Sequence, residues 1–146
     1  QATEDRVQLF PQYEDWIRMY YGRWEEMLGG PIQGSVVLLE QLIADPRYRV
    51  IALTNWSAET FPVALQRFDF LHWFEGIVVS GTEKIRKPNP EIYTRTLERY
   101  QLTAEHCFFI DDNQSNIEAA AALKIQTHHF HHPEGLEKDL RKRKLL

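Results

Sequence analysis

Hydrophobic and polar positions along this chain change their spacing near residue 49. Before that point apolar residues recur every three or four positions, which predicts helices. After it, short apolar runs alternate with segments of helical spacing, which predicts strands joined by helices. Such alternation is typical of an α/β protein, in which helices cover both faces of a parallel sheet.

The first predicted helix carries a mostly apolar face, called the aromatic face for its Trp and Tyr residues, and Gly29-Gly30-Pro31 stops the helix. Ser35 is predicted to cap a second helix, which Asp45-Pro46 ends. Aromatic residues at helical spacing predict core packing, although a helix ahead of the first strand could also roof a pocket. The aromatic face comprises Trp16, Met19, Tyr20, Arg23, Trp24 and Met27.

The remaining pattern predicts four strands and four helices. Pro62 fits the first turn of the first of these helices, and Asn113 to Asn116 offer capping side chains before the Ala-rich third one. The predicted strands are 50–53, 76–80, 106–110 and 125–130, and the helices are 60–68, 90–100, 117–123 and 134–143.

Composition excludes several classes of protein. The 146 residues carry a formal charge of -4, which argues against a general nucleic-acid binder. No apolar run is long enough to span a bilayer, so no membrane partner is expected. The single cysteine, Cys107, cannot form an internal disulfide; it is predicted to be a buried, inert thiol and fits a reducing, cytoplasmic compartment.

Polar side chains with chemical potential follow three of the predicted strands. Thr54 and Asn55 follow the first, Lys87 lies in the loop after the second, and Asp111-Asp112 follow the third. Because the carboxyl ends of parallel strands all lie at one edge of a sheet, these groups should share one rim. Each has an ordinary alternative, such as a turn, a helix cap or a solvated surface group.

Together these groups predict a site for a phosphate and a cation. Adjacent carboxylates are costly unless a cation neutralises them, and hard oxygen ligands suit Mg²⁺. The hydroxyl of Thr54 and the amide of Asn55 can donate to phosphate oxygens, while Lys87 supplies a positive charge. We therefore expect a small phosphorylated substrate and Mg²⁺ at this rim.

These residues carry a family resemblance. The segments 53–57, 80–90 and 109–112 resemble motifs two, three and four of the haloacid dehalogenase (HAD) superfamily of hydrolases, in order and in spacing. The resemblance implies a Rossmann-like core with a helical cap, and a Mg²⁺-assisted reaction through a covalent aspartyl intermediate. It makes residues 1–34 part of the cap and residues 35–146 the α/β core.

The resemblance also implies a role for each residue. Thr54 holds the phosphoryl group, and Asn55 lines the same substrate-binding loop. Lys87 stabilises the nucleophile and the developing negative charge, while Asp111 and Asp112 bind the metal. A further residue, Asn116, supports the site by capping the helix or by hydrogen bonding to Lys87.

The sequence departs from the family pattern at the nucleophile. The family places an Asp-x-Asp motif at the end of an N-terminal central strand, whereas Asp5 and Asp15 follow no apolar run. We therefore expect a C-terminal portion of a larger hydrolase, lacking the strand between those that end at Leu53 and Ile110. Such a chain should be inactive by itself, and a complementing N-terminal segment or a homo-oligomer would be a plausible partner.

Three alternatives remain at this stage. A 2-haloacid dehalogenase resembles the Leu-Thr-Asn and Lys-Pro segments, but that subfamily works without metal and carries small hydroxyl residues at the positions of Asp111 and Asp112. A phosphoacceptor receiver domain also combines an acidic pair with Thr and Lys, but in a different chain order. A non-catalytic phosphate-binding module would keep the fold without the nucleophile.

The histidines of 128–132 lack the converging ligands that a transition-metal site needs.

Overall fold

The computed structural model describes residues 2–146 and divides the chain into two compact units. The first unit ends at Pro31, and the second is Ile32–Leu146. The division falls three residues before the boundary expected from sequence, between residues 34 and 35. In the described part of the chain, every helix is too short or too polar to cross a bilayer.

The described residues form eight α-helices and four β-strands, joined in places by short 3₁₀ turns. The elements in chain order are α1 (Ala2–Leu9), α2 (Glu14–Arg23), α3 (Gln33–Ala44), β1 (Ile51–Thr54), α4 (Phe61–Arg67), β2 (Gly76–Val79), α5 (Ser80–Glu83), α6 (Pro90–Arg99), β3 (Phe108–Asp111), α7 (Gln114–Ala122), β4 (Gln126–His129) and α8 (Pro133–Lys142). The 3₁₀ turns are Pro11–Tyr13, Trp24–Met27, Asp69–Trp73 and Ala104–His106.

The first unit is helical, as predicted, but its aromatic face is not a core. Arg18 joins the two helices by donating to Glu4 of α1 at 2.7 Å and to Glu14 of α2 at 2.8 Å. None of the side chains described between residues 3 and 31 is fully buried, and Trp16 is 77% exposed. The prediction of core packing is therefore wrong here, because an amphipathic face is buried only where another surface covers it.

The start of α3 differs from the prediction. The helix begins at Gln33, and its N-cap residue, Ile32, provides no side-chain hydrogen bond. Ser35 lies inside the first turn, where its backbone N–H donates to the Ile32 carbonyl at 2.8 Å. The expectation that Ser35 caps α3 is wrong, whereas the predicted end of the helix at Asp45 is confirmed.

All four predicted strands are present, and they pair in parallel as two separate sheets. One sheet contains β1 and β2, with Thr54 opposite Val79, and the other contains β3 and β4, with Asp111 opposite His129. Parallel strands with helical crossovers confirm the α/β class. Within the described residues each of the four strands pairs on one side only, so β1 and β3 each keep an open edge.

Helices cover both faces of β3. Phe109 packs with Tyr93 of α6 and Ala120 of α7 in one cluster. Phe108 and Ile110 point to the opposite face, as alternation along a strand requires, and pack with Leu38, Leu136 and Leu140 of α3 and α8. All four residues of β1, and the three apolar residues of β3, are only partly buried. This is unusual for strands of a parallel sheet and accompanies their open edges.

Three of the helices end in the same way. The residue after the helix cap has a left-handed φ of 52° to 64° and is not glycine: Gln101 after α6, Lys124 after α7 and Lys144 after α8. In each case the following N–H donates five residues back, to Leu97, Ala120 and Leu140 respectively, at 2.8 to 3.3 Å. This is the Schellman arrangement, which satisfies carbonyls that the helix leaves unpaired.

Candidate active site

Lys87 links the carboxyl ends of β1 and β3. Its ammonium donates to the Leu53 carbonyl of β1 at 2.7 Å and to Asp111 Oδ2 of β3 at 2.6 Å. The two charged side chains are only 9% and 5% exposed, and the ammonium lies 5.5 Å from the centre of the Phe109 ring. A buried ion pair of this kind is stable only when further hydrogen bonds complete it.

Asp111 has those further hydrogen bonds. Its Oδ1 accepts from the Asn113 backbone N–H and from Asn116 Nδ2, both at 2.9 Å. Burial acts to raise the pKa of Asp111, but the hydrogen bonds from Lys87, Asn113 and Asn116 outweigh it and lower that pKa. Asp111 is therefore held as a carboxylate, with both oxygens in use.

Asn116 acts on the site through Asp111. The sequence suggested that it caps the helix or hydrogen bonds to Lys87, and neither is the case. The side chain of Asn113 caps α7 instead, accepting from the Ser115 N–H at 3.0 Å. Asn116 is 6% exposed and one helical turn further on, which places its amide against the acid rather than the lysine.

Tyr93 supports this network and was not identified from sequence. Its hydroxyl donates to the Asn116 carbonyl at 3.0 Å, and its ring packs edge-on against Phe109 at 5.5 Å. Burial, with a smaller contribution from the charge of Asp111, raises the pKa of Tyr93 to about 12. Tyr93 lies within the helix predicted at 90–100, and the signal available was that a buried tyrosine hydroxyl needs a partner.

Asp112 differs sharply from its neighbour. Its side chain is exposed, and within the described residues its carboxylate makes no hydrogen bond or ion pair. Only its backbone is engaged, because its carbonyl accepts from His129 Nε2 at 2.9 Å. At this rim, both oxygens of Asp111 are hydrogen-bonded within the described part of the chain, whereas those of Asp112 are not.

This donor set fits a hard divalent cation in part. Mg²⁺ is commonly held by one or two carboxylates, with the rest of its shell from phosphate and water. Asp112 offers free carboxylate oxygens, and Oδ2 of Asp111 keeps a lone pair beside Lys87. The described residues contain no group of three or more His, Cys, Asp or Glu side chains that would hold a metal by themselves.

The end of β1 supplies the neutral side of the rim. Thr54 is the last residue of the strand, and its hydroxyl has no hydrogen-bond partner within the described residues. Asn55 follows it, and both polar atoms of its side chain bind the backbone of Lys87. Nδ2 donates to the Lys87 carbonyl at 2.9 Å, and Oδ1 accepts from the Lys87 N–H at 2.8 Å.

Ser80 and Gly81 hold the loop that follows Asn55. The Trp56 carbonyl accepts from the Gly81 N–H at 3.0 Å and from Ser80 Oγ at 3.3 Å. A Cβ at Gly81 would collide with the backbone N of Ala58, so only glycine permits this approach. The structure thus brings all the predicted site residues to one region of the second unit.

Two other features include none of the predicted site residues. Cys107 is partly exposed rather than buried, and burial of its thiol raises its pKa, so a reactive thiolate is not favoured. The first unit contains an apolar cavity of about 360 Å³. That cavity is lined by Arg6, Phe10, Tyr13, Trp16, Ile17 and Tyr20.

Comparison with known proteins gives a consistent result. The family model described as haloacid dehalogenase-like hydrolase matches residues 2–130. The chain is 36% identical over 86 residues to a phosphorylated carbohydrates phosphatase of Thermotoga maritima, covering 59% of this chain and 40% of that protein. It is 26% identical over 93 residues to a phosphoglycolate phosphatase of Aliivibrio fischeri, covering 61% of this chain and 41% of that protein.

A solved structure shares the fold. It is a mutant HAD family enzyme of Bacteroides thetaiotaomicron in complex with magnesium and inorganic phosphate. The TM-score is 0.67 at 25% sequence identity, over 77% of this chain and 60% of that one. This chain therefore spans less than two thirds of the length of each of the three proteins.

Proposed function

Because this chain belongs to the haloacid dehalogenase-like hydrolases, we propose that it is the phosphate- and metal-binding part of a Mg²⁺-dependent phosphatase. The observation that carries the proposal is the buried ammonium of Lys87, which joins the ends of β1 and β3, while the residue after Asp111, Asp112, is exposed. The rim thus offers a fixed positive charge for an anion and a free carboxylate for a cation.

Thr54 and Lys87 would hold the phosphoryl group. The unengaged hydroxyl of Thr54 can donate to a phosphoryl oxygen without breaking any hydrogen bond described for it. Lys87 already donates to two acceptors, so an ammonium with three donors keeps one for the reacting group. Fixed donors of this kind stabilise negative charge because they need no reorganisation during the reaction.

Asp112 would be the main protein ligand of Mg²⁺, and Asp111 the secondary one. When bound, Mg²⁺ supplies charge neutralisation for the phosphoryl oxygens. Asp111 has a second task, because its carboxylate also keeps Lys87 in place. The neighbouring acids would therefore divide the work of binding the metal and of orienting the lysine.

The nucleophile would come from outside these residues. Apart from Asp111 and Asp112, no described aspartate lies at the end of a strand; Asp5 and Asp15, for example, lie in α1 and α2. We propose that a fifth strand, carrying an aspartate, fills the space between the open edges of β1 and β3. Its carboxylate would attack phosphorus, the ester P–O bond would break, and the departing oxygen would take a proton from water to leave as the alcohol. Water would then hydrolyse the acyl phosphate, which regenerates the acid and releases inorganic phosphate.

The substrate class that fits best is a small phosphorylated metabolite. One similar protein is a phosphatase of phosphorylated carbohydrates and another a phosphatase of phosphoglycolate, which support this class for the present chain. A 2-haloacid dehalogenase activity is less well supported, because a free carboxylate at Asp112 suits a metal-dependent reaction better than a metal-free one.

Binding and turnover can be tested separately. Titration calorimetry of the 146-residue chain should detect inorganic phosphate binding that requires Mg²⁺. Asp112→Asn should abolish this Mg²⁺-dependent phosphate binding, whereas Asp69→Asn, which changes an exposed aspartate of a 3₁₀ turn, should preserve it. No phosphate binding at any Mg²⁺ concentration would refute the proposed site.

Turnover tests the external nucleophile. The chain alone should release no phosphate from sugar phosphates, and a longer product with an upstream strand that ends in aspartate should do so. Phosphatase activity of the chain alone, with its mass verified, would contradict the external nucleophile. Halide release from 2-haloacids by the longer protein, without metal, would favour the dehalogenase instead.

A further inference from the structure

We infer that Asn55 is a positioning residue that sets the geometry of Lys87. This inference rests on the proposed function for its catalytic meaning, but its structural content stands by itself. It replaces the sequence-based expectation that Asn55 lines the substrate-binding loop as a phosphate donor.

Both polar atoms of the Asn55 side chain already have a hydrogen-bond partner in Lys87. Its Nδ2 donates to the Lys87 carbonyl and its Oδ1 accepts from the Lys87 N–H, at 2.9 and 2.8 Å. An amide side chain that pairs with both backbone groups of one residue closes a ring of two hydrogen bonds. Turning Asn55 towards a phosphate would break both bonds and leave two partly buried backbone groups without partners.

These two bonds are also the only ones found for the backbone of Lys87 within the described residues. The segment around Lys87 is neither helix nor strand, so no regular secondary structure fixes it. The Asn55 side chain therefore supplies the backbone hydrogen bonds that a neighbouring strand would supply in a sheet.

The same strand end holds Lys87 a second time. The carbonyl of Leu53, two residues before Asn55, accepts from the Lys87 ammonium at 2.7 Å. Lys87 is thus fixed at its backbone by one residue of this segment and at its tip by another. The position of the ammonium relative to the hydroxyl of Thr54, which lies between them in sequence, is set by this double attachment.

Replacing Asn55 by aspartate should disturb its contact with Lys87. Asn55→Asp keeps the acceptor for the Lys87 N–H but replaces the donor with an oxygen that faces the Lys87 carbonyl. Asn89 provides the matched control, because its Oδ1 accepts from the Glu91 N–H at 3.0 Å and its role as N-cap needs only an acceptor. Asn89→Asp should therefore be tolerated, since aspartate caps helices as well as asparagine does.

The decisive measurement is the exchange of the Lys87 ammonium protons with water, followed by ¹⁵N NMR in the phosphate-free 146-residue chain. Asn55→Asp and Asn55→Ser should speed this exchange by about tenfold, which corresponds to about 1.4 kcal/mol for the lost anchoring. Asn89→Asp should leave it within about twofold. Unchanged exchange in both Asn55 variants would overturn the inference.

The wild-type chain gives a second measurement, which is needed if the variants do not fold. The scalar coupling across the hydrogen bond from Asn55 Nδ2 to the Lys87 carbonyl should persist when inorganic phosphate and Mg²⁺ are added. Loss of that coupling on addition would show that Asn55 turns to the ligand, and would overturn the inference.

Failure of the proposed function gives a different pattern. The wild-type chain would then bind no phosphate, while slow exchange of the Lys87 ammonium and its dependence on Asn55 would remain.

Discussion

The two strand pairs, β1–β2 and β3–β4, have the same architecture but end in side chains of different charge. Each pair consists of two parallel four-residue strands, and each has an open edge within the described residues. The first pair ends in neutral groups, the hydroxyl of Thr54 and the amide of Asn55. The second pair ends in the two acids, Asp111 and Asp112.

Lys87 is the residue that connects these two ends. It belongs to the loops of the first pair, but its charge is compensated by an acid of the second. Neither strand pair contains a complete site, so phosphate binding would depend on how firmly the lysine joins them. The comparison teaches that one lysine can join two separate two-stranded sheets electrostatically.

The largest expected effect comes from removing that link. Lys87→Met leaves the carboxylate of Asp111 buried without its counter-charge, and we expect a loss of about 3–5 kcal/mol in the free energy of unfolding. Urea unfolding would measure it, with Lys84→Met, at an exposed lysine, as the control. The double variant Lys87→Met/Asp111→Leu should lose much less than the sum of the single changes. A single-variant loss below about 1 kcal/mol would show that the two strand pairs do not depend on this ion pair.

A smaller effect should appear in the pH dependence of stability. The pKa of Asp111 is lowered in the folded chain, so the unfolded state binds the proton more readily. The stabilisation is therefore complete above about pH 4, the ordinary pKa of aspartate, and is lost as the pH falls through the lower folded value. Asp111→Asn should be about 2–4 kcal/mol less stable than the wild type at pH 7, because an amide faces the ammonium.

The difference between wild type and Asp111→Asn should narrow as the pH falls below 4, since the wild-type carboxylate becomes protonated. Thermal unfolding between pH 2 and pH 7 would show it. A constant difference across that range would mean that the charge of Asp111 is not what joins the halves.

A still smaller effect tests the support behind the acidic half. Tyr93→Phe removes the hydroxyl that donates to the Asn116 carbonyl but keeps the ring against Phe109. We expect a loss of about 1–2 kcal/mol, the usual cost of a missing buried hydrogen bond. Tyr48→Phe, at a partly exposed tyrosine, serves as the control and should change stability by less than about 0.5 kcal/mol.

The smallest effect on stability is expected at Asp112. Asp112→Asn should leave the free energy of unfolding within about 0.5 kcal/mol, because its carboxylate is exposed and has no partner in the described structure. Calorimetry should show, in contrast, that Asp112→Asn weakens Mg²⁺ binding more than any of the other three variants, Lys87→Met, Asp111→Asn and Tyr93→Phe. Strong destabilisation by this change would show that Asp112 also stabilises the fold, and that the two adjacent acids do not have separate roles in stability and in ligand binding.

The sequence predicted much of this architecture because the relevant signals are local. Apolar runs, proline at helix starts and the cap at Asn113 located the four strands and most helices to within one to three residues. The short helix Ser80–Glu83 was missed, and the first long helix was not expected to break into a 3₁₀ turn at Trp24–Met27. Both are single-turn features without a periodic pattern to reveal them.

The site could be predicted as a set of residues but not as a network. Strand ends brought Thr54, Lys87 and Asp111 to one rim by topology alone. The partners of Asn116 and Tyr93 depend on side-chain packing between segments up to 23 residues apart, which no local pattern encodes. Assignment of metal and phosphate to these residues remains a prediction.

The helix ends described above have a consequence for heat resistance. A side chain at left-handed φ costs about 1 kcal/mol relative to glycine, and Gln101, Lys124 and Lys144 all have this conformation. Glycine at these three positions would therefore raise the melting temperature while leaving every rim residue untouched. The fold could thus be made more stable by substitutions that its own sequence does not contain. These positions follow the C-terminal ends of the helices, where we expect a substitution to leave catalysis unchanged.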